Sequence, residues 1–126
     1  LTVGNARSAS YGDTLGNIFK KTGHEVIKEY YVNDVGNQVN KLIKSIRLRM
    51  QELKGEKIEF DPDLYQGEYI KEIAKEFLDK DISEEDIPTE AIKVMTDRAK
   101  SSVKNMGVKF DEWFFEHSLH ESGEVK

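Results

Sequence analysis

The segment 25–32 constrains the fold most, because its apolar residues fall on both faces of a predicted strand. Its β-branched and aromatic residues are Val26, Ile27, Tyr30, Tyr31 and Val32. A strand with one face in water would alternate apolar and polar side chains, whereas this one requires cover on both sides. Such cover is typical of a parallel sheet flanked by helices, so the segment predicts an α/β fold.

A helix is predicted over 5–22, immediately before this strand. Gly23 follows it, where a left-handed residue commonly ends a helix. Gly12 and Gly16 each weaken the helix by up to about 1 kcal/mol relative to Ala, so we expect them to pack closely against other backbone or a ligand. The apolar stripe of this helix comprises Leu15, Ile18, Phe19 and Thr22.

Three more amphipathic helices and a second strand follow. The second helix is capped by Asp34 or Asn37 and reaches about Leu53, and the third spans 66–79. The fourth is capped by Thr89 and reaches Asn105. The remaining predicted elements are a connector over 58–64, an acidic loop over 79–88, a strand over 108–115 and a helix from Ser118. Three helices between two strands indicate a helical insertion in an α/β frame.

Composition narrows the function classes. A chain of 126 residues has the size of one domain, and its net charge of -5 argues against nucleic acid as a partner of the whole surface. Without cysteine it has no disulfides or thiolate metal sites, which fits a reducing compartment. We find no apolar run long enough to span a membrane and no signal peptide. The start at Leu1 rather than Met suggests a fragment, a processed product or missing upstream residues.

The opening segment 1–7 is the first candidate site. Gly4 stands at the mouth of the predicted helix, where a ligand could approach bare backbone amides. The helix dipole favours an anion at that end, as in a nucleotide phosphate site. The alternative is an ordinary helix start without a ligand.

A polar cluster after the first strand is the second candidate site. Asn33, Asp34, Asn37 and Gln38 surround Gly36, and ligands of open α/β sheets bind beyond the carboxyl ends of the strands. The alternative is a turn whose Asx side chains satisfy its own backbone.

Other motifs give weaker signals. His117 and His120 could share a helix face, but no third ligand is evident and we predict no metal site. Trp113 and its aromatic neighbours are interpreted as core strand residues, because their flanks are acidic rather than basic. The basic run 41–57 supports an alternative function, a non-enzymatic helical module that docks RNA or an acidic partner through a basic stripe. An ordinary solvated helix face would carry the same charges.

Taken together, the sequence blocks resemble arginyl-tRNA synthetase, a class I aminoacyl-tRNA synthetase. The segment 1–7 is similar to that family's version of the "HIGH" motif, and 11–13 to its continuation. The segment 30–38 resembles the family's YYxNDxGNQ block, and 65–70 and 110–119 resemble two further blocks. The five blocks occur in the family's order and cover essentially the whole chain.

This resemblance implies ATP-dependent activation of arginine followed by its transfer to tRNA(Arg). It implies catalytic roles for Thr2 and Asn5, which occupy the two histidine positions of the motif. Thr2 can donate a hydrogen bond but cannot carry a positive charge. The implied ATP-binding residues are Val3, Gly4, Asn5 and Arg7, and the implied substrate-cleft candidates are Asn33, Asp34, Asn37 and Gln38.

The resemblance also implies the organisation of the chain. We expect a helix-rich α/β fold, a partial Rossmann-like class I synthetase catalytic domain with a helical insertion. The expected division is 1–54 for the first part of the nucleotide-binding domain, 55–107 for the insertion and 108–126 for the return strand and a helix start. As a fragment it is expected to be inactive alone, to expose Val26, Tyr30, Phe110 and Phe114 partly, and to self-associate. The intact parent is expected in the cytoplasm, using ATP with Mg²⁺.

Overall fold

A computed structural model describes residues 2–123, which contain five helices and two strands. Leu1, the first residue of the opening motif, and residues 124–126 lie outside that range. The elements are α1 (Val3–Lys21), β1 (Glu29–Val32), α2 (Asn37–Leu53), α3 (Glu68–Asp79), α4 (Ile87–Asn105), β2 (Glu112–Phe115) and α5 (His117–Ser122). The predicted order of strand, three helices and strand is therefore confirmed. None of the helices described is at once long and apolar enough to cross a membrane.

The two strands pair in parallel, as predicted. Glu29 lies opposite Glu112, and the register continues to Val32 opposite Phe115. Both strands are shorter than the predicted segments. At their start a backbone N–H bonds to a side chain and not to the backbone of the neighbouring strand. The Asp111 carboxylate accepts a hydrogen bond from the Lys28 backbone N–H at 2.8 Å, while the Lys28 carbonyl accepts one from the Asp111 N–H at 2.7 Å.

One face of this small sheet is covered and the other is open. Ala9, Val103 and Val108 are buried, and Tyr30, Phe110 and Trp113 pack against them. On the opposite face Tyr31 is 48% exposed, and Ile27, just before β1, is 69% exposed. The expectation of cover on both faces is therefore wrong for the described residues. The residues expected to be partly exposed, Val26, Tyr30, Phe110 and Phe114, are all half-buried.

Helix α1 packs through a different face from the predicted stripe. Ala9 and Gly16 are buried, whereas Leu15, Ile18 and Phe19 remain 40%, 55% and 44% exposed. A Cβ on Gly16 would lie 3.0 Å from Lys28 Cδ, which confirms close packing there. Gly12 does not pack closely within the described chain, since a Cβ there would meet nothing within 4 Å. The helix ends as predicted, with Gly23 at a φ of 89°.

Helices α2, α3 and the first part of α4 form a separate apolar core. Its fully buried members include Ile46, Ile70, Ile73, Phe77 and Ile87. Each of these helices buries one face, as the amphipathic patterns predicted.

A buried serine fastens the predicted connector to this core. Ser45 donates a hydrogen bond to the Lys41 carbonyl at 2.6 Å and accepts one from the Tyr65 N–H at 3.0 Å. The segment before α3 therefore has a fixed attachment to α2, although it forms no regular element.

Two predicted helix caps are wrong. Gly36, with a φ of 86°, precedes α2 in place of a cap by Asp34 or Asn37, and no side chain caps that end. Helix α4 begins at Ile87, so Thr89 lies within it. There Ser83 sets the turn, since its hydroxyl accepts the Asp86 N–H at 3.3 Å and its carbonyl accepts the Ile87 N–H at 3.2 Å.

The chain divides into two compact units. The first comprises Leu1–Asn33 with Thr96–Lys126, and the second comprises Asp34–Met95. The sheet, α1 and α5 belong to the first unit, and α2 and α3 to the second. The division into 1–54, 55–107 and 108–126 concerns roles within a larger domain and stays a prediction.

Candidate functional site

The first turn of α1 lies at the carboxyl end of β1. Ala9 packs in the same cluster as Tyr30, Gly16 packs near Lys28, and Lys20 pairs with Asp111 at 3.5 Å, so α1 runs antiparallel to the strand. Val3 precedes Ala9 by less than two turns, or about 9 Å along the axis. That length corresponds to about three strand residues beyond Tyr30. The helix therefore begins level with about residue 33, where the strands end.

One side chain of the protein caps this helix end. Thr2 is extended, with φ -79° and ψ 162°, and its Oγ1 accepts the Asn5 backbone N–H at 3.2 Å. The Thr2 carbonyl accepts the Ala6 N–H at 3.0 Å, which closes the first turn. The N–H groups of Val3 and Gly4 precede the first intrahelical bond and so have no acceptor within the helix. Thr2 thus acts first as a cap and leaves two donors at the helix end.

This end of α1 is exposed and electropositive. Thr2, Val3, Gly4, Asn5 and Arg7 are all exposed, Val3 to 89%. The first turn carries no acidic residue, and the helix dipole adds partial positive charge there. The structure therefore brings together the five residues assigned from the opening motif.

Gly4 leaves the backbone of the first turn uncovered, and no contact within the described chain requires a glycine there. A Cβ at Gly4 would meet only Thr2 Oγ1 at 3.8 Å, which is ordinary contact. A larger residue would thus fit the described structure, and its helix propensity would be higher. The absence of a side chain at Gly4 would matter chiefly to a molecule outside the chain.

The polar cluster after β1 is divided between the two units. Asn33 is exposed and belongs to the first unit. Asp34 belongs to the second, where it is only 8% exposed, and Asn37 and Gln38 are exposed in the first turn of α2. No side chain caps α2, and the alternative of a turn whose Asx side chains satisfy its own backbone stays a prediction.

A third polar cluster, around Asp13, was not found from the sequence. The Asp13 carboxylate contacts Lys28 Nζ at 2.7 Å and Asn17 Nδ2 at 3.0 Å. The Lys28 ammonium, followed by the Lys109 backbone N–H, holds the pKa of Asp13 below its usual value. The available signal was the spacing of Asp13, Gly16, Asn17 and Lys20, which places polar and small residues on one helix face.

Three basic residues of the run 41–57 form ion pairs within the second unit. Arg47 pairs with Glu84 at 3.0 Å, and Lys41 lies 3.5 Å from Asp63. Arg49 bonds to Glu52 at 2.6 Å and stacks over the Phe60 ring at 4.1 Å. The run is thus no continuous basic stripe, which weakens the alternative of an RNA-docking module.

The aromatic run and the histidine pair noted in the sequence lie in a strand and a helix. Trp113, Phe114 and Phe115 form β2, as predicted for strand residues. His117 and His120 lie on α5, and residues 2–123 contain no group of three or more His, Cys, Asp or Glu side chains arranged to hold a metal ion.

Comparison with known proteins identifies the family. The family described as tRNA synthetases class I (R), catalytic domain, matches residues 1–120. Arginine–tRNA ligases of Rickettsia bellii and Carboxydothermus hydrogenoformans are 42% and 43% identical over the whole chain.

A solved structure agrees. A Campylobacter jejuni protein assigned as an arginyl-tRNA synthetase superposes with a TM-score of 0.85 at 36% identity, covering 96% of this chain and 29% of its own. The chain spans about a quarter of the length of the curated relatives, 24% in both bacteria. With its match over residues 1–120, the chain belongs to the family of class I arginyl-tRNA synthetase catalytic domains.

Proposed function

We propose that this chain supplies the ATP-phosphate subsite of an arginine–tRNA ligase. In the proposed reaction an arginine carboxylate oxygen attacks the α-phosphorus of ATP, the bond to the β-phosphate oxygen breaks, and pyrophosphate leaves. A ribose hydroxyl of tRNA(Arg) then attacks the arginyl carbonyl and releases AMP. Because the chain spans 24% of its relatives' length, we further propose that it does not complete this reaction alone.

The first turn of α1 would hold the triphosphate. Bare backbone at Gly4 lets the nucleotide lie against the helix, and the N–H groups of Val3 and Gly4 donate to phosphate oxygens. The Asn5 amide donates to the α-phosphate, where negative charge develops in the transition state. Arg7, in the next turn, adds positive charge. Thr2 would release Asn5 N–H and turn its hydroxyl towards a phosphate.

Preorganised donors of this kind act by stabilising charge and form no covalent intermediate. Losing one such donor typically lowers kcat by about 10²–10³-fold. Thr2 cannot supply the positive charge of a histidine, so its share of that stabilisation is limited to one hydrogen bond. The remaining stabilisation in this subsite would come from the helix dipole, the backbone amides, the Asn5 amide and Arg7.

The polar cluster after β1 would border the substrate cleft. Asn33, Asn37 and Gln38 expose amide groups, which can donate to and accept from arginine or the nucleotide ribose. Asp34 is mostly buried, so we assign it an orienting role rather than direct contact. Mg²⁺ would enter bound to the triphosphate. A role in protein synthesis and the absence of cysteine fit the cytoplasm.

The observation that carries the proposal is the room for a Cβ at Gly4. In the full-length protein, Gly4→Ala is expected to stabilise α1 by up to about 1 kcal/mol and still raise the KM for ATP about tenfold or more, because the methyl group occupies nucleotide space. The measurement is aminoacylation of tRNA(Arg) at varied ATP, beside thermal unfolding.

Gly12→Ala is the matched control. It lies in the same helix with nothing within 4 Å of its Cβ, so it should give the same stabilisation and an unchanged KM for ATP. Equal KM values for the two variants would overturn the assignment of ATP to the first turn.

A further inference from the structure

Asp13 gathers three hydrogen bonds from three parts of the first unit. Its carboxylate accepts from Lys28 Nζ at 2.7 Å, before β1, and from Asn17 Nδ2 at 3.0 Å, one turn along α1. It also accepts from the Lys109 backbone N–H at 3.3 Å, before β2. The Lys28 and Asp13 side chains are 10% and 16% exposed, so water screens this ion pair less than a surface pair. Asp13 thus joins α1 to both chain segments that enter the sheet.

Lys28 is itself held at both its backbone and its side chain. Its N–H donates to the Asp111 carboxylate at 2.8 Å, and its carbonyl accepts from Asp111 N–H at 2.7 Å. Its ammonium also approaches Asn17 Oδ1 at 3.4 Å. The partner of Asp13 is therefore a fixed point of the sheet rather than a mobile surface lysine.

Besides this cluster, α1 is held along its axis by the Lys20–Asp111 pair at 3.5 Å, whose side chains are each 43% exposed and therefore well screened by water. The packed face consists of Ala9 and Gly16 with polar side chains, and the apolar residues of α1 face away. Contacts of small apolar groups lack direction, whereas a carboxylate with three donors fixes distance and angle. A shift of α1 by one residue would move its first turn by about 1.5 Å along the sheet.

We propose that Asp13, acting with Lys28, is a positioning residue that fixes the first turn of α1 relative to the carboxyl end of the strands. This inference rests on the proposed function, because what it positions is the phosphate-binding turn. Asp13 lies well down the helix from that turn and does not touch the nucleotide. Its effect reaches ATP through the rigid helix.

The test uses the full-length ligase and aminoacylation of tRNA(Arg), with ATP and arginine varied separately. Asp13→Asn keeps the size of the side chain but removes its charge, and Lys28→Met removes the ammonium. Both are expected to raise the KM for ATP about tenfold. This is smaller than the roughly 10²-fold loss of reaction rate that a 1 Å misplacement of a reacting group can cause. The KM for arginine should stay within about twofold. Lys28→Arg keeps the pair and should restore a KM for ATP near the original.

The matched control is Glu25→Gln, which removes one negative charge from an exposed position of the same unit. It is expected to leave both KM values unchanged. If Asp13→Asn does not fold, Asn17→Ala removes the hydrogen bonds of Asn17 with Asp13 and Lys28 but keeps the ion pair, and should raise the KM for ATP about threefold.

The outcomes separate the possible roles. A purely structural role would reduce the fraction of active enzyme and so lower kcat without changing either KM. That result, or an unchanged KM for ATP in folded Asp13→Asn and Lys28→Met, would overturn the inference. If instead the unsubstituted full-length protein failed to charge tRNA(Arg) with arginine, the proposed function itself would fail.

Discussion

At the scale of residues, Gly67 occupies a position that has no room for a larger side chain. Its backbone, with φ -61° and ψ 152°, is open to any residue, but a Cβ there would lie 2.6 Å and 2.8 Å from Cε1 and Cδ1 of the Tyr69 ring. Tyr69 is half-buried and packs against the core of α2 and α3, so its rigid ring cannot move away freely. The constraint at Gly67 is therefore one of space and not of backbone angle.

Gly67→Ala is accordingly expected to destabilise the 126-residue chain by about 1–3 kcal/mol, the usual cost of overpacking. Urea unfolding followed by circular dichroism measures this difference. The same substitution in a Tyr69→Ala background should cost much less, because the clashing ring is gone. Equal costs in the two backgrounds would show that the ring contact is not the cause.

At the scale of elements, Asp13 and Asp111 make the stability of the first unit sensitive to acid, because their carboxylates accept hydrogen bonds from residues that precede the two strands. The Lys28 ammonium lowers the pKa of Asp13 below 3.8, and the Lys28 backbone N–H does so for Asp111. A carboxyl whose pKa is lower in the folded state stabilises that state fully above its unfolded pKa. The contribution is lost as the pH falls from about 3.8 through the folded pKa.

Unfolding of the 126-residue chain should therefore show a loss of stability that begins near pH 4 and deepens below it. Trp113 is the only tryptophan and stacks on Tyr30 with ring centroids 4.4 Å apart, so its fluorescence reports on the sheet. Asp13→Asn is expected to be less stable at pH 7 and to lose less on acidification. An identical pH dependence with and without Asp13 would exclude this carboxyl as a source of the effect.

Sequence periodicity predicted the elements better than their contacts. It found α1 and its end at Gly23, because spacing and glycine conformation are local properties. It could not tell which face of α1 packs, since that depends on Lys28 and Lys109, which are distant in sequence and bind Asp13. The lengths of the strands and the starts of α2 and α4 were missed for a related reason. Asp111, Gly36 and Ser83 set them through particular hydrogen bonds and backbone angles.

The candidate site was predictable only in part. The residues of the first turn are contiguous, so a sequence motif was sufficient to name Thr2, Val3, Gly4, Asn5 and Arg7 together. The capping bond from Thr2 Oγ1 to Asn5 N–H and the free space at Gly4 required coordinates. A positioning residue such as Asp13 forms no sequence motif with its partners, because these lie in three separate segments of the chain.

At the scale of the whole molecule, the first unit presents apolar surface on α1 and on the open face of the sheet. Leu15, Ile18 and Phe19 are at least 40% exposed on the helix, Tyr31 is 48% exposed on the sheet, and Ile27, just before β1, is 69% exposed. A monomeric protein rarely exposes large apolar surfaces to water, and such surfaces commonly mark association sites. The predicted self-association of the 126-residue chain thus has a physical basis in side chains that the described chain leaves uncovered.

We expect the chain to form dimers or larger species at micromolar concentrations, measured by sedimentation velocity over a dilution series. Ile18→Lys places a charge in the middle of the α1 stripe and should shift the distribution towards monomer, because association would bury that charge unpaired. Met106→Lys adds the same charge at an apolar residue that is 42% exposed outside the stripe, and should leave the distribution unchanged. A chain that stays monomeric throughout the series would contradict the prediction, because these apolar faces would then be stable in contact with water. An equal response to the two lysines would point to net charge, and not to the α1 stripe, as the cause of association.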